Sequence, residues 1–289
     1  MRRRFGPFYN CPMGTRVRHA VARGPDEPVA DLTEHDVVHR GMRVDLERLA
    51  RAVRDLSPTS RISDTGRRQG LREYLAAITA LVDSHCWVES DVLEPLLAGL
   101  VGSPSPVPIA DAAPLTSSLR EAEVIATALG DGRPDRRRAS DLALVLDRAA
   151  EVATAFTGEQ ERVVHPLIRR YVRAGDYRWV RDRFLTDLPP GLLAFVVPWT
   201  LRHAAESERS RLLDHRDPAL CVTNKIFVQR FAALETVAFG VGRQRNLPHR
   251  RYPRGAGPAQ SRPVPLNAVI LVCCSSAPTT SRRRRRPDA

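Results

Sequence analysis

The chain has 289 residues, a formal net charge of +12 and five cysteines, and that length can bury a substantial core. The charge sits at the ends: residues 1–29 carry +4 and residues 241–289 carry +10, leaving −2 for residues 30–240, which argues against nucleic acid as the partner of the part that folds. An odd cysteine count without a CxxC pair argues against a disulfide scaffold or a structural zinc site, and the apolar run 268–274 is far too short to span a membrane.

Residues 1–29 are rich in Arg, Gly and Pro without an apolar period, and they read as a disordered basic leader. No apolar h-region follows Met1-Arg2-Arg3-Arg4, so no secretory signal is expected, and the setting is expected to be reducing and cytoplasmic. From Asp31 the pattern changes. His39, Met42, Leu46, Leu49, Val53 and Leu56 follow a three-four repeat with His35 one turn earlier, which predicts an amphipathic helix with Asp31 or Thr33 as its cap. His35 is expected near the end of that helix, exposed to solvent. A second helix is predicted over 67–101, kinked by Pro95. The Ser/Pro stretch 103–108 reads as a linker. A third helix is expected over 115–129 and a fourth over 140–173, the latter turning Leu142, Val145, Ala149, Val152, Phe156, Gln160, Val163 and Leu167 inward.

Four long helices with connections of modest length predict an all-α, up-down-up-down four-helix bundle over residues 30–175. Shorter helices at 177–186, 192–214 and 224–239 form an accessory segment, residues 176–240, expected to pack on the bundle. Residues 241–289 mix Arg, Pro, Gly and Ser without period and read as a disordered tail.

The chemistry concentrates in Ser84-His85-Cys86-Trp87-Val88-Glu89. Spacing of i, i+4 puts His85 and Glu89 on one helix face, and Leu71, Tyr74, Ile78, Leu81, Val92 and Leu96 make that face the buried one. A buried carboxylate without a partner costs several kcal/mol, so a donor, a water or a metal ion must meet Glu89. Helix two reads His85-x3-Glu89-x5-Pro95-Leu96 and helix four repeats it as Phe156-x3-Gln160-x5-Pro166-Leu167, once with ligand-type residues and once without. His165, His203, His215 and His19 show no ligand spacing. Cys86 and Trp87 fall off the stripe and read as packing residues.

These features resemble the hemerythrin-like (HHE cation-binding) family of four-helix bundles. The resemblance rests on Val38-His39-Arg40, His85-x3-Glu89 with Pro95-Leu96, Arg120-Glu121-Ala122-Glu123-Val124-Ile125, and Glu161-Arg162-Val163-Val164 with Pro166-Leu167, and covers about residues 31–175. It implies a non-haem iron centre with a role in oxygen binding, in sensing oxygen or nitric oxide, or in iron or redox handling. The implied ligands are His39, His85 and Glu89. At the family's other ligand positions stand Ala122, Phe156 and Gln160, so the resemblance implies a reduced site for one ion at most, with His35 or Glu123 as additional donors. A register one residue on would turn Thr157 and Glu161 inward instead.

No Gly-rich phosphate loop, GxSxG elbow or catalytic carboxylate pair is present. The expected function is therefore that of a metal-binding protein, not an enzyme, whose partners are an iron ion and a small diatomic ligand. The alternative is a metal-free helical bundle that has lost the site and acts as a structural or protein-interaction module.

Overall fold

A computed structural model of the chain describes residues 21–56, 63–101, 110–130, 135–214 and 218–240. The tail 241–289, the first 20 residues of the leader and the 103–108 linker lie outside the described residues. What is described is all-α. Its helices are α1 (Thr33–Arg54), α2 (Ser63–Val88), α3 (Glu94–Val101), α4 (Ala113–Gly130), α5 (Arg136–Glu159), α6 (His165–Tyr171), α7 (Ala174–Asp187), α8 (Pro190–His203), α9 (Glu206–Asp214) and α10 (Pro218–Phe239).

The helix starts follow local chemistry. Asp31 Oδ1 accepts from the backbone N–H and the hydroxyl of Thr33 at the head of α1. Asp135 caps α5, accepting from the N–H groups of Arg137 and Arg138, so the helix predicted from 140 begins one turn earlier. The predicted 192–214 helix is two helices, broken at Ala204 and Ala205.

The two helices that carry the sequence echo are interrupted in the same way. A π-helical turn, Glu89–Leu93, joins α2 to α3, and a second, Gln160–Val164, joins α5 to α6. In the first the N–H of Glu94 reaches the carbonyl of Glu89, and in the second the N–H of His165 reaches that of Gln160. Pro95 and Pro166 have no N–H for the carbonyls four residues back, and in each case the ladder widens just ahead of the proline. The expected irregularity at Pro95 is thus a widened turn upstream of it. The sequence echo is a structural echo, with Glu89 and Gln160 each opening its π turn.

The core follows the predicted stripes. α1 packs on α5, α5 on α4, α4 on α2, and α2 on α1. Met42, Leu46, Leu49, Tyr74, Ile78, Leu81, Leu115, Leu119, Leu146 and Ala149 are fully or almost fully buried between them. At about 25 cal/mol per Å2, each such side chain contributes roughly 1.5–3 kcal/mol.

The end of the leader is tied down, in contrast to the disordered segment expected up to residue 29. The N–H of Arg23 donates to the carbonyl of Tyr171, Val29 bridges to Arg173, and Arg173 pairs with Glu27. Ala30 and Leu32 are buried.

A buried polar cluster joins the accessory helices to α1 and α2. Asp45 on α1 is fully buried, and its Oδ2 accepts from the Tyr74 hydroxyl (2.5 Å), the Trp199 indole N–H (2.7 Å) and His203 Nε2 (3.1 Å). Beside it, Glu235 of α10 pairs with Arg48 at 2.5 Å and Arg202 at 2.7 Å. Gly41 lets the ring of Trp199 lie against α1, since a Cβ there would stand 2.5 Å from Trp199 Cη2. Gly41→Ala is therefore expected to lose about 1–3 kcal/mol of stability, read as a lower midpoint in urea unfolding. An unchanged midpoint would mean that α8 can step back from α1 without cost.

Candidate metal centre

Four side chains converge where α1 crosses the end of α2. His35 and His39 lie one turn apart on α1, His85 is in the last turn of α2, and Glu89 opens the π turn. One donor atom from each lies within 4.8 Å of all the others. Glu89 Oε1 stands 3.1 Å from His35 Nε2, 3.2 Å from His85 Nε2 and 3.9 Å from His39 Nε2, while the Nε2 atoms of His39 and His85 are 3.2 Å apart. All four residues are buried.

The outer nitrogens are held from behind. His35 Nδ1 is 2.9 Å from the hydroxyl of Tyr177 on α7, and His39 Nδ1 is 3.3 Å from Glu161 Oε1. Arg43 in turn donates to Glu161 at 2.9 Å and to the Thr157 hydroxyl at 2.7 Å. A carboxylate only accepts, so Glu161 places the ring proton of neutral His39 on Nδ1 and leaves the Nε2 lone pair pointing inward. Support of one imidazole nitrogen while the other faces a cluster of donors is the pattern that orients metal-binding histidines.

Electrostatics favour a cation here. Burial pushes the Glu89 carboxyl up, but the charge of His85 and the hydrogen bonds from His35 and His85 outweigh it and hold the group well below the usual carboxylate range. Burial, reinforced by His35 and His85, drives His39 well below the ordinary histidine value, so it is neutral at pH 7 and its lone pair is available. An ion held about 2.1 Å from imidazole nitrogens sets neighbouring donors roughly 3.0–3.4 Å apart, and three of the four separations above are 3.1–3.2 Å. The residues fit a single transition-metal ion with three nitrogen donors and one oxygen donor.

The other half of the echo has no such donors. Gln160, fully buried, donates from Nε2 to Glu89 Oε2 at 3.2 Å, and Phe156 and Ala122 are buried apolar residues. Because Gln160 occupies Oε2, Glu89 presents one oxygen to the cluster.

His39, His85 and Glu89, the first joined to the other two in the sequence only by the family resemblance, thus lie together in the structure. His35 is not at a solvated end: α7 covers it through Tyr177, and it joins the cluster. Glu123 does not, for it lines a surface groove with Arg72, Arg120 and Val124. Glu161 stands behind His39 and is not among the four donors. His165, without evident ligand spacing in the sequence, has its ring centroid 4.8 Å from that of His35 and 5.7 Å from that of His39. Its i, i+4 relation to Glu161 was the available signal.

Beside Glu89 lies a cavity of about 50 Å3 whose polar wall is Glu34, His35, His85, Glu89, Tyr177 and Arg181 and whose apolar wall includes Val88, Leu93 and Phe184. It has room for a water or a diatomic molecule. Comparison with protein-family models, with curated proteins and with solved structures found no match to this chain.

Proposed function

We propose that this is a metal-binding protein of the hemerythrin-like kind, in which α1, α2, α4 and α5 form the four-helix bundle and one ion is held by His35, His39, His85 and Glu89. The observation that carries the reading is the convergence of three imidazole nitrogens and one carboxylate oxygen in a buried space, with two of the rings supported at their outer nitrogens. Iron is the ion proposed, and it would supply one-electron redox chemistry and affinity for small diatomic ligands such as oxygen or nitric oxide. The chain's own part is to orient the donors, to exclude bulk water through burial, and to keep a small cavity open beside Glu89. A cytoplasmic sensor of oxygen, nitric oxide or iron is the role this suits. Among the described residues no helix is long and apolar enough to cross a membrane.

A second reading, a metal-free helical module, draws support from the contacts the cluster makes within itself. Glu89 accepts from His35, His85 and Gln160 without any ion. Metal content separates the two. The full chain, produced with iron available, is expected to carry close to one iron, and His85→Ala none, by elemental analysis. Failure of the protein to retain iron, zinc or cobalt after loading would sink the metal-centre reading and leave the helical module.

A further inference from the structure

The proposed centre leaves one buried histidine unused. His165 is 2 % exposed, and its Nε2 has no hydrogen-bond partner among the described residues. Its Nδ1 lies 3.3 Å from Asp36 Oδ1, a carboxylate whose side chain is 41 % exposed. The ring thus turns Nδ1 toward Asp36 and leaves Nε2 as a buried nitrogen without a partner. An unpaired buried nitrogen carries a desolvation cost that an apolar side chain would avoid. It is also not one of the four converging donors.

His165 lies against both Asp36 and two rings of the centre. Asp36 stands at the surface with Glu161 and Glu208 adding negative potential and Arg169 opposing it. His165 comes next, in ring contact with both His35 and His39. We propose that Asp36 and His165 form the loading site through which a divalent cation reaches the centre: Asp36 captures the hydrated ion, His165 Nε2 replaces one of its waters, and His39 and His35 then take it inward. This rests on the metal-centre reading and adds a route to it. Every exchange is ligand for ligand, with water released and no electron moved.

A residue on the route alters the height of a barrier and leaves the end states alone, so uptake and release must change by the same factor. Metal-free full chain mixed rapidly with cobalt(II) alone, followed by visible absorption, gives the uptake rate, and a competing chelator gives release. Both His165→Ala and Asp36→Asn are expected to slow the two rates alike, by about tenfold or more, with Kd and the count of one ion per chain unchanged. Asp36→Asn is half-exposed and guards against a folding defect in the buried variant, which far-UV circular dichroism also checks. Wild-type rates in both variants would overturn the route. So would faster release at an unchanged uptake rate, which would make His165 a ligand, or a second ion lost on His165→Ala, which would make it a separate site. Absence of cobalt uptake by the wild-type chain would bring down the centre itself, as the stoichiometry reveals before any rate is compared.

Discussion

Asp45→Ala is expected to destabilise the chain by about 3–5 kcal/mol, because it leaves three donors, one from α2 and two from α8, facing a void. Tyr74, Trp199 and His203 all point at Asp45 Oδ2, and neither Tyr74 nor Trp199 has any exposed surface from which to recruit water. Arg48 and Arg202 lie 3.7 and 3.9 Å from Oδ1 and would keep only Glu235 as counter-charge. Chemical unfolding followed by fluorescence checks the magnitude, and hydrogen exchange is expected to report fastest opening in α8 and α10, which the cluster fastens. A loss below about 1 kcal/mol would show that water replaces the carboxylate. The pH dependence has a definite sign. Burial raises the Asp45 pKa, but His203 and Arg202 overcome this and bring it from 3.8 down to about 2. A carboxyl depressed on folding stabilises fully above its unfolded pKa and ceases to do so as pH falls through the folded one. The wild-type chain should therefore lose roughly 2 kcal/mol between pH 4 and pH 2 that the Asp45→Ala chain no longer has to lose.

That cluster marks how far local pattern reaches. The stripe of α1 was legible because burial recurs with the 3.6-residue period, and Val38, His39, Met42, Leu46, Leu49 and Val53 are all buried. The His85–Glu89 pair was legible for the same reason. What the period does not encode is which helix from elsewhere covers a given end. His35 looked like a solvated end residue because nothing near it in sequence announces α7, 142 positions away, whose Tyr177 hydroxyl holds its Nδ1. Asp45 gave no signal beyond an acidic residue on the edge of a buried face, since its partners come from α2 and α8. His165 was passed over because the π turn shifts its angular position relative to an uninterrupted helix. Glu123 failed as a donor for the opposite reason: Ala122 takes the buried position on α4 and turns its neighbour toward the surface.

Metal binding and folding must be linked if the four donors hold an ion, because they assemble only in the folded chain. At a free cation concentration a thousandfold above Kd, the linkage is about 4 kcal/mol, or roughly 8–16 °C in Tm for a chain of this size. Glu89→Gln separates that effect from structure. The amide oxygen can still accept from His35 and His85 at the 3.1 and 3.2 Å positions, its NH2 can donate to Gln160 once that amide flips its unpaired oxygen inward, and the variant no longer buries a charge. Its metal-free stability should therefore stay within about 1 kcal/mol of wild type. The cation-induced rise in Tm should nevertheless collapse, since a neutral amide is a far poorer ligand than a carboxylate. Acid should erase the wild-type rise as well, because protons compete with the ion for the imidazole lone pairs. Scanning calorimetry with and without zinc(II), at pH 7.5 and pH 5.5, tests all three statements. Equal shifts in wild type and Glu89→Gln would place the cation elsewhere on the chain. A shift confined to wild type at the higher pH requires that the ion is held through Glu89 and neutral imidazoles, because no surface carboxylate cluster combines loss on a single buried amide substitution with loss at a pH where exposed carboxylates remain ionised.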